Sequence, residues 1–540
     1  MEGYADFPYR LTLDEVLELK RNTLTALTTI HQWIDSFVPI NRLPTDVLSL
    51  IPTHLHTQGD RFRVTFVCRH WRRTFLQYAA LWSHLYLSKG EVYVKTLLER
   101  AKGSPLSILA SSIDPVSITK LLPSYTKQIT DLEFTNNRWA GIQWFSKINS
   151  GPFPLLHTLN INAVQGVGPG GLLFSGAVGL KDFRLYSKWS PFLSRFIFPN
   201  LTSFELLVVS EEEFPDSELL DFLEASPMLR AVRMKIIVPM TLEGVPQERV
   251  VVLHNVESLC LTARDGGHGY KLATHISCPS AKHTSLTHTL KRERYFNPRL
   301  AKFPTSASLN TIIQQYTRNL PIEDVTFEVK TDSDYFIACS LTLRSADTTV
   351  IRLGFEVARD GEDSSNHLKW ERSFAKMCSV TSEASWTIQD PRLLKSVKRL
   401  HMYGYPPLDP DLRRIKRVAN ELGRLLQSLG PLEELAICRC DIRPYFYPFS
   451  HPKYYGFEGQ FTYPPIKVMS ISHPMCAAHG NLAVGLVNLA MAKHELGEPF
   501  ERVTVRMYEP PADMDEKLRP WVGVVDCRAP DESHESPNYI

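Results

Sequence analysis

The feature that most constrains the fold is a three-point apolar pattern that recurs along most of the chain. An apolar residue is followed after two variable residues by a second, and after one more by a third. Successive starts lie 27, 24, 21, 28 and 27 residues apart in the first six copies, and 35, 34 and 34 apart in the last four. Chance matches would scatter, so this spacing predicts a repeated structural unit. The copies are Ile129/Leu132/Phe134, Leu156/Leu159/Ile161, Leu180/Phe183/Leu185, Leu201/Phe204/Leu206, Leu229/Val232/Met234, Val256/Leu259/Leu261, Val397/Leu400/Met402, Leu432/Leu435/Ile437, Ile466/Met469/Ile471 and Phe500/Val503/Val505.

Each copy predicts one strand with a connecting segment, and helix-like stretches precede the strand at 219–234 and 422–437. One such unit cannot bury its own apolar side, so we expect the copies to stack around a continuous core. The pattern resembles a degenerate leucine-rich repeat, although Asn137 and Cys440 alone match the Asn or Cys that this family places in the following turn. The resemblance implies an α/β solenoid with blocks at 129–261 and 397–505.

The two blocks are separated by an irregular, partly β insertion at 262–396. Residues 264–299 are polar and irregular, which predicts loop or disorder. Apolar or alternating runs at Val325–Val329, Tyr335–Leu343 and Val350–Val357 predict a small antiparallel meander. Residues 506–540 are rich in Pro, Asp and Glu and are expected to form a polar tail, disordered at its end.

Residues 1–40 contain an amphipathic segment that predicts a helix over 13–38. Thr12 and Glu15 have the spacing of a capping box, and Pro39 marks the end. Such a stripe is usually a packing face, and we expect it to dock on the next unit or to pair with a partner helix. Its apolar residues recur at helical spacing and are Leu13, Val16, Leu17, Leu24, Leu27, Ile30, Ile34 and Phe37.

The next residues fall into three ordered apolar pieces. LPTDVLSLIPTHL at 43–55 and VCRHWRR at 67–73 have helical spacing, with Val64, Val67, Cys68, Trp71 and Phe75 expected on one side, and Leu81-Trp82 follows. Together these pieces resemble the F-box over 41–88, and 93–108, in a connecting segment at 89–128, is similar to the segment that follows the F-box in a large fungal group. One departure is Pro52, which is expected to kink or end the first helix.

The resemblance implies a trihelical module that binds a Skp-type adaptor. Core and contact residues cannot be separated from the sequence. The residues assigned to adaptor binding by resemblance are Leu43, Pro44, Val47, Leu48, Ile51, Leu55, Val67, Cys68, Trp71, Leu81 and Trp82.

Composition excludes several functional classes. Sixty Lys and Arg residues against 58 Asp and Glu give a formal charge of +2, which argues against nucleic acid as a partner. Nine cysteines form no C-x-x-C pair, and neither a phosphate-binding loop nor a nucleophile elbow occurs. We therefore expect no cofactor, no bound metal and no catalytic residues. The absence of a signal peptide or membrane span predicts a protein of the cytoplasm or nucleus.

The expected fold is thus α/β: a helical F-box followed by a leucine-rich-repeat-like solenoid with an irregular insertion. The expected function is that of a non-enzymatic substrate adaptor in a Skp-cullin-F-box ubiquitin ligase, which binds the Skp adaptor, the cullin assembly and an unidentified target protein. Two alternatives stay open: an F-box scaffold that works outside the ligase, and an enzyme with its site in 262–396.

Overall fold

The structure is a computed structural model, and it divides into two compact units. The N-terminal unit comprises Met1–Asn162 and Gly176–Gly179, and the C-terminal unit comprises Ala163–Ser175 and Leu180–Ile540. The residues that the structure describes are 12–55, 57–87, 90–111, 122–136, 152–163, 174, 176–187, 193–209, 214–236, 240–241, 245–246, 248–264, 268–290, 312, 315–316, 323–332, 336–345, 348–358, 395–403, 426, 429–438, 464–474, 479–507 and 510–529.

The N-terminal unit begins with helices and continues into parallel strands. Strand β2 pairs in parallel with β1 and with β3. The helices are α1 (Leu13–Phe37), α2 (Thr45–Leu48), α3 (Gln58–Arg63), α4 (Arg69–Gln77) and α5 (Glu91–Ala101). The strands are β1 (His84–Tyr86), β2 (Leu106–Ser111), β3 (Ile129–Asn136) and β4 (Thr158–Ala163). The last residue of β4 belongs to the C-terminal unit. Short 3₁₀ turns occupy Pro39–Arg42, Ile51–His54, Val64–Phe66, Ala79–Trp82, Leu122–Ser124 and Thr126–Gln128.

Helix α1 confirms the predicted capping box. The Thr12 backbone N–H donates to Glu15 Oε2 at 2.7 Å, and the Glu15 backbone N–H donates to Thr12 Oγ1 at 3.3 Å. The Thr12 backbone N–H and the Thr12 hydroxyl both donate to the Glu15 carboxylate and lower its pKa. The expectation that the apolar stripe packs on the next unit is wrong for the described residues, because the stripe is exposed along its whole length.

The C-terminal unit is built on a long, mostly parallel sheet. Its strands are β5 (Asp182–Ser187), β6 (Ser203–Val208), β7 (Phe214–Pro215), β8 (Ala231–Ile236), β9 (Met240–Thr241), β10 (Val251–Val252), β11 (Ser258–Arg264), β12 (Ile276–Ser277), β13 (His283–Leu290), β14 (Asp324–Asp332), β15 (Phe336–Ser345), β16 (Thr348–Ala358), β17 (Arg399–Tyr403), β18 (Leu432–Cys438), β19 (Ile466–Ser472), β20 (Phe500–Arg506) and β21 (Val522–Arg528). Its helices are α6 (Asp216–Glu224), α7 (His268–Thr274), α8 (His479–Glu495) and α9 (Met514–Leu518), with a 3₁₀ turn at Leu193–Arg195.

The spatial order of the main strands follows the chain apart from one excursion. Strands β5, β6, β8, β11 and β13 pair in sequence, all parallel, and so do β17, β18, β19, β20 and β21. Between them lie β16, β15 and β14, in that order. The pairs β14–β15 and β15–β16 are antiparallel, which confirms the predicted meander.

The recurring apolar pattern forms the interior of these strands. The second and third residues of every copy lie in a strand, and all thirty residues of the ten copies are buried. The register aligns them, so that Phe183, Phe204, Val232 and Leu259 occupy one row across β5, β6, β8 and β11. The prediction of repeated parallel strands is confirmed, whereas membership in the leucine-rich family stays a prediction.

Two segments contradict the sequence-based expectation of loop or disorder. Residues 268–290 form α7, β12 and β13, because Leu272, Ala273, Ile276 and Leu286 supply buried apolar contacts. Residues 514–528, expected in the polar tail, form α9 and β21, and Met514 and Leu518 are buried. The turn residues Asn137 and Cys440, the helix-like residues 422–425 and the last eleven residues lie outside the described parts of the chain. Among the described helices, none combines the length and apolar character needed to cross a bilayer.

Thr284 can be used to test whether the buried row that contains Leu259 continues onto β13. It lies on β13 in register with Leu259, is fully buried, and its hydroxyl has no hydrogen-bond partner among the described residues. A buried hydroxyl without a partner costs about 1–3 kcal/mol. We expect Thr284→Val to raise the free energy of unfolding by about 1 kcal/mol, measured by urea denaturation. The matched control is Thr287→Val, the same change on the outward face of β13, and equal effects of the two variants would contradict this assignment.

Candidate functional site

Helix α2 is short and ends before Pro52. Helix α2 ends at Leu48, and a separate 3₁₀ turn covers Ile51–His54. The predicted early end of the helix is therefore confirmed, since an interior proline removes a helix hydrogen bond. Pro44 lies at the N-cap of α2. Val47 on this helix and Leu50 just after it are 41% and 59% exposed.

Four of the eleven predicted contact residues are core residues in the structure. Leu48, Trp71, Leu81 and Trp82 are all buried. The indole N–H of Trp82 donates to the Phe75 backbone carbonyl at 3.0 Å, and its ring lies 5.4 Å from the ring of Phe62. Trp71 packs edge-on against Phe75 at 5.3 Å. These aromatic contacts form the interior of a small domain, and their side chains are turned away from solvent.

The expectation that Val64, Val67, Cys68, Trp71 and Phe75 share one side of a continuous helix is wrong. Helix α3 ends at Arg63, a 3₁₀ turn follows, and α4 starts at Arg69. This break places Val64, Trp71 and Phe75 inside and leaves Val67 58% exposed. Phe66 is 69% exposed, and the Arg72 guanidinium lies 5.3 Å from the centre of its ring.

Contacts between the segments bring the exposed residues of this region together. The Cys68 thiol lies 3.8 Å from Asn41 Oδ1, which joins the segment before α2 to the start of α4. Arg61 Nε donates to the Leu55 carbonyl at 3.1 Å, and partial burial lowers the pKa of this guanidinium. Leu43, Ile51, Leu55 and Cys68 are half-buried beside these contacts. We call the exposed set the apolar surface; it comprises Ile40, Pro44, Val47, Leu50, Phe66 and Val67.

Three members of the apolar surface were not predicted from the sequence. Ile40, Leu50 and Phe66 stand off the helical spacing that marks the core, so periodicity alone passes over them. The break between α3 and α4 accounts for the exposure of Phe66, and no helical spacing in the sequence marks Ile40 or Leu50. Exposed apolar side chains on a domain that already has a core are typical of a protein–protein contact.

The described residues offer no arrangement that could hold a metal ion, because no three His, Cys, Asp or Glu side chains converge there.

Comparison with known protein families identifies this part of the chain. Residues 40–88 match the F-box-like family. The chain contains an F-box-like domain. Domains of this family generally bind Skp-type adaptors. No curated protein matches the chain significantly.

The separation of core and surface in the F-box-like domain is testable by two tryptophan substitutions. Trp82→Ala removes a buried ring and its hydrogen bond to the Phe75 carbonyl, so we expect the domain to lose about 3–5 kcal/mol of stability. Trp33→Ala, on exposed α1, is the matched control and should change stability by less than about 0.5 kcal/mol. Amide hydrogen exchange in α4 measures both effects, and slow exchange retained in Trp82→Ala would refute the assignment of Trp82 to the core.

Proposed function

We propose that this chain is a non-catalytic substrate-recognition subunit of a Skp-cullin-F-box ubiquitin ligase. The F-box-like domain binds the Skp-type adaptor, and the adaptor links the chain to the cullin. The C-terminal unit holds a target protein in the cytoplasm or nucleus. The partner subunits carry out ubiquitin transfer, and the chain contributes proximity by raising the effective concentration of the target's lysines.

The observation that carries this proposal is the apolar surface of the F-box-like domain. Val47, Leu50, Phe66 and Val67 are between 41% and 69% exposed, although the domain already has a core of buried aromatic residues. A domain of about 50 residues buries only a modest fraction of its surface, and a partner that covers this patch would stabilise it. The adaptor contacts are accordingly Pro44, Val47 and Val67, with Leu50 and Phe66 added, while Leu48, Trp71, Leu81 and Trp82 support them from inside.

The repeated parallel strands support the assignment of target recognition. Their inward rows are apolar, and their outward rows carry charged side chains such as Arg184, Glu205 and Arg233 at one register position. An outward face of this kind can vary without loss of the core. We propose that this unit is related to leucine-rich repeats and that the whole chain resembles the fungal F-box group.

The test is a pull-down of the full chain with a purified Skp-type adaptor. Val47→Asp/Val67→Asp puts two charges into the apolar surface without touching the core, so we expect adaptor affinity to fall at least about 30-fold. Val92→Asp is the matched control, because Val92 is 82% exposed on α5 outside this surface, and its binding should equal wild type.

Addition of the cullin, its ubiquitin-loaded conjugating enzyme and candidate targets then separates ligase from scaffold. Cullin-dependent ubiquitination of a protein bound by the C-terminal unit supports the ligase role. Adaptor binding without ubiquitination of any bound protein would favour the scaffold. An unchanged affinity in Val47→Asp/Val67→Asp would show that the apolar surface is not the adaptor site.

A further inference from the structure

Helix α1 carries an apolar face that the described part of the chain leaves uncovered. Its 25 residues make it about 37 Å long. Its described side-chain contacts to the following segments are few: Arg69 Nη2 donates to Thr28 Oγ1 at 3.0 Å, and Arg42 Nε donates to the Ser36 carbonyl at 2.9 Å. Eight large apolar side chains of this face are each at least 45% exposed: Leu13, Val16, Leu17, Leu24, Leu27, Ile30, Ile34 and Phe37.

The spacing within this face is that of a coiled-coil seam. Seven seam residues alternate in steps of four and three, which is the heptad spacing that lets two helices pack along their length. They are Leu13, Leu17, Lys20, Leu24, Leu27, His31 and Ile34. Val16, Ile30 and Phe37 widen the apolar strip on one side. The exposed area is on the order of the 800 Å² per partner that a stable interface buries.

The two polar seam residues decide what the helix pairs with. Lys20 and His31 lie symmetrically about the middle of the seam, which falls between Leu24 and Leu27. When a second copy of α1 lies antiparallel, Leu17 meets Ile34, Leu24 meets Leu27, and Lys20 meets His31. Every apolar residue then faces an apolar residue, and Leu13 faces Val38 directly after the helix.

A parallel pair is less favourable electrostatically. It places the Lys20 ammonium of one copy against the same ammonium of the other, a like-charge contact inside the seam. The antiparallel pair replaces this contact with a Lys20–imidazole contact. Both arrangements have two-fold symmetry, so the charge at the seam decides between them. We therefore propose that α1 is a self-association helix, through which two copies of this chain form an antiparallel dimer.

The helix can accept a partner without disturbing its own domain. Thr28 is half-buried against Arg69, on the flank opposite to Val16 and Ile30, while the seam residues themselves are exposed. Leu17 and Leu24 line a groove beside Arg69 but stay 52% and 54% exposed, so substitutions there alter this groove without removing a buried side chain. Glutamate is also a good helix former, so a change from leucine to glutamate at the seam tests association and not helix formation. The proposal does not depend on adaptor binding.

The experiment is sedimentation of the full chain over about 1–50 µM at pH 8. Wild type is expected to reach twice its 61.5 kDa mass. Leu24→Glu/Leu27→Glu should raise the dissociation constant more than about 100-fold and leave a monomer with unchanged circular dichroism. Asn22→Glu/Gln32→Glu adds the same charge away from the seam and should stay dimeric.

His31→Glu tests the orientation. In the antiparallel pair it places a carboxylate opposite Lys20 twice, so the dissociation constant should fall about two- to tenfold. In a parallel pair it places carboxylate against carboxylate, and association would weaken. A monomeric wild type, a dimer insensitive to Leu24→Glu/Leu27→Glu, or weaker association of His31→Glu would each overturn the proposal.

Discussion

The alignment of inward rows across the parallel strands is the constraint on which the C-terminal unit depends. Leu400, Leu435, Met469 and Val503 lie in register on β17 to β20, and all are buried. A slip of one residue in any strand would turn its apolar side chains outward, because side chains alternate between faces. The row therefore fixes the register of each added strand. Each strand also pairs the backbone edge that its predecessor would otherwise expose.

The same constraint explains how the meander enters the sheet. An antiparallel excursion that begins and ends beside parallel neighbours must contain an odd number of strands, since each added strand reverses direction. Three strands satisfy this: β16 runs parallel to β13, β14 runs parallel to β17, and β15 is reversed. At the second junction the Arg399 guanidinium holds Asp324 through bonds of 2.5 and 3.0 Å, and Asp324 raises the pKa of Arg399. The buried row continues there from Val325 to Leu400.

Sequence periodicity predicts strands where the inward residues are strongly apolar and fails where they are not. The second and third residues of all ten apolar copies lie in strands, but β13 has Thr284 at an inward position, and its Thr, Ser and His residues hide the alternation. In the F-box-like domain the motifs predict the family but not the exposure of single residues. The 3₁₀ turn at Val64–Phe66 rotates Val67 outward, and no helical spacing anticipates that rotation. The sequence likewise could not predict that the apolar stripe of α1 is exposed. Such a stripe has the same spacing whether it packs against its own chain or against another molecule.

Residues that follow the F-box-like domain in the chain complete its core. Helix α5 starts after the matched residues, yet Tyr93 packs on Phe62 at 5.8 Å and the Arg100 guanidinium lies 5.0 Å from the Trp82 ring. This helix leads directly into β2, which pairs with β1. The F-box-like domain is therefore joined to the first parallel strands through shared packing. If the proposed adaptor binds the F-box-like domain, this shared packing limits its positions relative to these strands, and effective concentration is highest when few positions are sampled.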